Sequence, residues 1–209
     1  MAPAEAAPTE AAEEDSGPTA WFRIDNDALG TQLWAGATNN VGGLDIATDI
    51  YVVGTGGEFD IGPSFSIGDL ALLPMVGLAV DWGAEELATL VVPQLFTIYD
   101  GPIYFESWIQ GFLSSPFDYA GGGDFLYTRD FVLLKLTDDF QLGPQIEASI
   151  ALNDAAGDGL YSLPIGGRIN YNARGDWDSL IGIFAGVETQ DDSQTGDNLA
   201  GRLTYLHFF

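Results

Sequence analysis

His207 is the only histidine in the 209-residue chain, and cysteine is absent. A His-centred hydrolytic triad therefore has one possible base, and neither a multi-histidine nor a thiolate metal site can be assembled. His207 has no catalytic motif beside it and reads better as an interfacial or core side chain. Oxygen ligands are plentiful. The pairs Asp138-Asp139 and Asp191-Asp192 and the loop 153–159 (NDAAGDG) could hold Ca²⁺, but the loop lacks the spacing and terminal Glu of an EF-hand. Solvated turns explain these residues better, since Asp, Asn and Gly favour turns for backbone reasons. No spacing singles out a carboxylate pair for glycoside hydrolysis. The residues point to no catalytic centre, no metal and no cofactor.

What the sequence does offer is a polar stripe. Asp45, Asp49, Glu58, Asp60, Glu106, Gln110, Gln145, Glu147 and Glu188, joined by Arg129, Lys135, Arg168 and Arg202, each fall on the polar side of an alternating segment. In a closed barrel such a stripe lines the lumen. The arginines and the lysine would pair with carboxylates, and the surplus acid would attract cations and repel anions. The formal charge of −25, from 31 acidic against 6 basic residues, argues against nucleic acid or an anionic lipid surface as a partner. Trp34, Tyr104 and Trp108 lie on the same face and would narrow any passage.

These residues need elements of period 2 to position them. Phe59, Ile61, Pro63, Phe65 and Ile67 alternate with Glu58, Asp60, Gly62, Ser64 and Ser66, and 44–53 and 140–153 alternate in the same way. Looser alternation places strands near 20–25, 29–38, 44–54, 57–67, 70–82, 86–99, 102–113, 124–137, 140–153, 160–172, 177–189 and 198–208. This makes twelve strands, with ten as the next choice, because Trp21, Arg23 and Asp25 fall out of phase with Gln32 and Trp34. Most are 10 to 14 residues long. That exceeds the usual 5–6 of globular strands and suits a tilted membrane crossing of about 9–11. No run approaches the roughly 20 apolar residues of a membrane helix, although mean hydropathy is +0.11. Tight connections at 68–69, 100–101 and 138–139 alternate with roomier ones at 82–86, 114–123, 154–159 and 190–197. Residues 1–19 form an acidic Ala/Pro/Glu tail with little to pack, which leaves 20–209 as one β domain. No leader peptide is visible at the start. Pro63, Pro74, Pro93, Pro144 and Pro164 weigh against closure, because a barrel has no free edge on which to hide a missing N–H.

The C-terminal stretch 199–209 (LAGRLTYLHFF) keeps Leu199, Leu203, Tyr205 and Phe209 in alternate register, interrupted at Gly201 and His207. It resembles the terminal strand of bacterial outer-membrane β-barrel proteins, which end on Phe. The resemblance implies an antiparallel up-and-down transmembrane barrel in the outer membrane, with outer-membrane lipids around it. It also implies that the insertion machinery reads Tyr205 and Phe209, and that both chain termini are periplasmic. Aromatic residues near strand ends, Trp21, Trp82, Tyr99, Tyr104, Tyr127, Tyr161, Tyr171, Trp177 and Tyr205, would then form the two interfacial girdles, or else cap a soluble core.

The expectation is an all-β barrel that acts as a narrow, weakly cation-preferring passive channel for small cationic or neutral solutes, or as a structural outer-membrane protein. A soluble acidic β-sandwich that binds a ligand or partner is the competing architecture, with the prolines on edge strands. An outer-membrane hydrolase built on His207 is the third possibility.

Overall fold

The computed structural model describes residues 19–115, 123–175, 177–190 and 199–209. The expected tail lies outside these residues apart from Thr19, as do most of the loops at 114–123 and 190–197. The described residues contain strands and turns and no helix.

The strands are β1 (Thr19–Asp27), β2 (Gly30–Val41), β3 (Leu44–Val53), β4 (Gly56–Ile67), β5 (Leu70–Asp81), β6 (Glu86–Asp100) and β7 (Ile103–Ser114). They continue as β8 (Phe125–Lys135), β9 (Phe140–Ala151), β10 (Leu160–Ser162), β11 (Pro164–Asn172), β12 (Ser179–Glu188) and β13 (Leu199–Phe208). Each pairs antiparallel with its neighbour, β10 and β11 share one position beside β9, and β13 pairs with β1. The result is a closed twelve-position barrel with no free edge.

Which face points inward is settled by burial. Leu33, Phe59, Leu142, Ile183 and Leu203 are among the exposed large apolar side chains, whereas Asp60, Arg129, Gln145 and Asn170 are 1% exposed or less. A sandwich would bury the first group and expose the second. One closed sheet that is polar inside and apolar outside corrects that alternative and forms the outer surface a bilayer requires.

The phase break at 20–38 has a simple origin. A two-residue turn, Ala28-Leu29, sets Asp27 opposite Gly30 and Trp21 opposite Gly36, so odd residues of β1 face the same side as even residues of β2. Two strands with opposite parity are what such a hairpin demands. The turn Gly42-Gly43 has φ of 64° and 89°, the pair of positive values a two-residue hairpin favours.

The prolines sit where the ladder is already broken. Regular pairing of β4 with β5 stops at Ile61↔Val76 and resumes at Phe65↔Leu72, which leaves Pro63 and Pro74 opposite each other in the gap. Pro93 lies in the break between Val91↔Leu113 and Gln94↔Gln110, and Pro144 in that between Phe131↔Gln145 and Leu134↔Leu142. Pro164 begins β11, with only Leu163 between it and β10, which itself carries a register shift between Leu160 and Ser162. Glu188 holds the β10–β11 junction, accepting from Ser162 Oγ and from Leu163 N, each at 2.7 Å. Closure is thus compatible with these residues at the cost of local interruptions.

Candidate functional site

Alternation delivers one residue in two to the interior, and the interior is dense with ion pairs. A girdle crosses the middle of the barrel. Arg23 Nε lies 2.9 Å from Asp25 Oδ2 and Arg129 Nη2 lies 3.0 Å from Glu106 Oε1, with cross contacts of 3.7 Å (Arg23 to Glu106) and 3.6 Å (Arg129 to Asp25). Thr204 Oγ1 donates to Asp25 at 2.6 Å and the Tyr104 hydroxyl donates to Glu106 at 3.0 Å. The guanidinium of Arg129 stands 5.1 Å over the ring of Trp108, and that of Arg23 stands 5.0 Å over Trp34. Below this pair, Arg168 donates to Asn170 at 2.7 Å and to Gln145 at 3.2 Å, with its cation over Phe131. Reciprocal pairing of this kind is what allows charge to sit out of water.

Toward the end away from the chain termini the interior opens into a cavity of about 560 Å³. Arg202 spans its floor, held 2.8 Å from Asp27 and 3.0 Å from Glu147, and Tyr127 donates to Glu147 at 2.7 Å. Gln32 donates to Asp27 at 2.8 Å. Aromatic rings of Tyr51, Trp108, Phe125 and Tyr161 form much of the wall. At this mouth Asp124 accepts from both the hydroxyl and the backbone N of Ser114, each at 2.6 Å. Those bonds, the hydroxyl first, hold its carboxyl below the ordinary aspartate range.

A second, water-sized pocket of about 10 Å³ adjoins the first, with Tyr51, Trp108 and Gln110 lining both. Its other wall carries Asp49, Glu58 and Asp60, with Trp21 on the side toward the chain termini. Asp49 and Asp60 face each other across β3 and β4. Gln110 donates to Glu58 at 2.8 Å, and no ion pair within 4.0 Å reaches any of the three among the described residues. The interior is therefore divided in charge. Arginines rise from β1, β8, β11 and β13, while carboxyls with no cationic partner among the described residues line β3 and β4. Among the described residues, no group of three or more acidic or histidine side chains has the geometry to hold a metal ion.

Of the residues expected on the polar face, Asp49, Glu58, Asp60, Glu106, Gln110, Arg129, Gln145, Glu147, Arg168 and Arg202 lie in the interior, and Glu188 lies at the roomy mouth. Asp45 and Lys135 sit at the rim near the chain termini. Asp45 accepts from Asn40 at 2.8 Å, and Lys135 pairs with Asp100 at 2.6 Å. Sequence reasoning left out Arg23, Asp25, Asp27, Gln94 and Thr204. The two-residue turn at Ala28-Leu29 was the signal, because it places the odd residues of β1 inside.

The aromatic set divides. Trp82, Tyr99, Tyr171 and Tyr205 lie on the outward face near strand ends, with Tyr171 4.9 Å from Phe140 and Tyr205 5.5 Å from Phe22, ring to ring. Trp177 sits in the β11–β12 turn, where its backbone N donates to Asn172. Tyr127 and Tyr104 instead point inward, because they share parity with Arg129 and Glu106, and their hydroxyls bond interior carboxyls. Trp21 lines the acidic pocket and Tyr161 the mouth. Trp21, Tyr127 and Tyr161 correct the girdle expected from sequence, where closeness to a strand end stood in for facing outward, while Tyr104 takes the polar face also expected of it. Phe209 is 74% exposed, its ring 4.6 Å from that of His207. His207 Nδ1 is 2.8 Å from Ser179 Oγ on the outward face, but Ser179 is only 2% exposed, so its hydroxyl is closed to an ester.

The fold and its interior define the class: an outer-membrane-type β-barrel with a charged lumen. No family model matches the sequence, and no curated protein matches it. Among solved structures, a KdgM porin aligns with TM-score 0.52 at 10% identity, covering 91% of this chain and 99% of that one. A NanC porin aligns with TM-score 0.56 at 10% identity, covering 92% and 100%. OccK5 of Pseudomonas aeruginosa aligns with TM-score 0.51 at 11% identity, covering 90% of this chain and 62% of that one. At such identities the likeness is one of fold.

Proposed function

We propose that this protein is a narrow, cation-preferring channel of the bacterial outer membrane. The observation that carries the proposal is the roomy mouth and, next to it, the pocket walled by Asp49, Glu58 and Asp60, none of which an arginine or lysine pairs with. The arginines are engaged on the opposite wall, so a small cation passing Tyr51 and Gln110 meets carboxyl oxygens on one side and aromatic faces on the other. Both favour positive charge. The pocket has room for about one water, so a path through it would take only small ions and small neutral solutes in single file.

The apolar outer face supports contact with outer-membrane lipids, with Trp82, Tyr99, Tyr171 and Tyr205 at the interfaces. Phe209 and Tyr205, outward on the closing strand, would present the signal for the insertion machinery. The chain termini are assigned to the periplasmic side, so that the roomy mouth faces outward. No catalytic activity is assigned. The carboxyl wall is tested by single-channel recording in planar bilayers. Asp49→Asn, Glu58→Gln and Asp60→Asn together are expected to abolish cation preference while the barrel still inserts. Unchanged selectivity would overturn the proposed path.

A further inference from the structure

The cavity at the roomy mouth is far larger than a path for small ions needs. Its volume of about 560 Å³ lies within the roughly 300–1,000 Å³ typical of sites for small organic molecules, whereas the adjoining pocket has room for about one water. Two features of its lining select a chemistry. Three carboxyl groups, Asp27, Glu147 and Glu188, line it with one guanidinium, Arg202, so negative charge is in surplus among the described residues. Much of the remaining wall is aromatic. The rings of Trp108 and Tyr127 meet edge to face with centres 5.3 Å apart, Phe112 stacks on Phe125 at 4.4 Å, and Tyr161 stands edge-on to Phe125 at 6.5 Å.

The polar groups of this lining are largely committed to one another. Arg202 is held 2.8 Å from Asp27 and 3.0 Å from Glu147, Gln32 donates to Asp27, and the Tyr51 hydroxyl donates to Gln32 at 3.2 Å. Tyr127 donates to Glu147 and Ser162 to Glu188. A sugar would bring many hydroxyls, each needing a partner once water is displaced, to a lining with few left to give. An anion would meet surplus carboxyls and a guanidinium already engaged on two sides. A bare metal ion finds no group of three acidic or histidine ligands among the described residues. A cation with an apolar body differs from all three. Its charge answers the carboxyl surplus without requiring a directional bond, and its body covers ring surface. We propose that the mouth cavity is a binding site for an organic cation with an apolar body, such as a quaternary ammonium. Such a molecule is too large to follow a small ion into the one-water pocket, so once seated it stops the current. Its effect on current rests on the channel reading above, whereas its binding does not.

The test titrates benzyltrimethylammonium against the full chain reconstituted in phosphatidylcholine vesicles and follows tryptophan emission, to which Trp108 contributes from the cavity wall. A saturable change is expected, with none at the same concentrations for phenylmethanesulfonate, an anion of similar shape, or for maltose. Phe125→Leu combined with Tyr161→Leu keeps apolar bulk and the ion pairs of the floor, and is expected to weaken binding about tenfold through the loss of two rings. Glu147→Gln is expected to weaken it about fivefold through the loss of one charge. Should these variants fail to insert, the ligand series on the native chain still decides. In planar bilayers, benzyltrimethylammonium is expected to block small-cation current from one side of uniformly inserted channels and not from the other. Equal binding of the anion or the sugar, or an affinity indifferent to both variants, would overturn the site. Saturable, cation-selective binding to a chain that does not conduct would support the site and overturn the channel. A conducting chain whose emission and current the cation leaves unchanged would overturn the site alone.

Discussion

Arg129→Met removes the cation at the centre of the interior girdle while keeping much of its apolar stem. Arg129 is 0% exposed, 3.0 Å from Glu106 and 3.6 Å from Asp25. Its loss leaves Asp25 with Arg23 at 2.9 Å, but leaves Glu106 with only the more distant Arg23 at 3.7 Å and the Tyr104 hydroxyl. Breaking a buried pair from one side costs about 3–5 kcal/mol, because the remaining charge stays buried and poorly compensated. Arg23 offsets part of this here, so the lower end, about 3 kcal/mol, is expected. The same principle says that the cost belongs to the orphaned Glu106. Adding Glu106→Gln should therefore recover roughly half of it, which makes the double variant more stable than Arg129→Met alone. Urea unfolding of the reconstituted protein, followed by tryptophan fluorescence, measures this directly, since Trp34 and Trp108 lie against the guanidinium. A cost below about 1 kcal/mol for Arg129→Met, or strictly additive effects in the double variant, would refute the account of the girdle as a mutually dependent network.

Neutralising Asp49, Glu58 and Asp60 together should lower the cation-to-anion permeability ratio by less than three independent charges would, because Asp60 is close enough to Asp49 and Glu58 to share protons with them. Ratios from reversal potentials check this. Gly143→Ala should destabilise the β8–β9 pairing by about 1–3 kcal/mol, because its methyl group would overlap the backbone carbonyl of Val132, and a shifted urea midpoint would report it. Asp124 should titrate below the ordinary carboxylate range, and Ser114→Ala should move it back up, as read by NMR titration of the side chain. Because its folded value is depressed, its contribution to anchoring the mouth is present above the unfolded aspartate value of about 4 and is lost as pH falls through the lower folded one.

Much of the fold was legible because period 2 survives wherever one face meets lipid and the other a polar lumen. The stretch 58–67 shows this, its acids and oils separating cleanly. What escaped were parity and facing. Trp21, Arg23 and Asp25 seem out of phase only until a two-residue turn is placed between β1 and β2, and that turn carries the girdle's missing half. Tyr104 and Tyr127 lie near strand ends, yet alternation turns their hydroxyls to Glu106 and Glu147, so position along a strand says less than position across it. The prolines are tolerated because neighbouring strands share their gaps, as at Pro63 and Pro74, a relation visible only once register is known.

The channel itself is tested most directly by the sign of the reversal potential when the wild-type protein, reconstituted in a planar bilayer, separates KCl solutions of unequal concentration. The carboxyl wall, which has no cationic partner among the described residues, predicts small conductance steps and a potential displaced toward the cation equilibrium value. Displacement toward the chloride value would contradict the charge assignment, and a protein that inserts without conducting would contradict the channel.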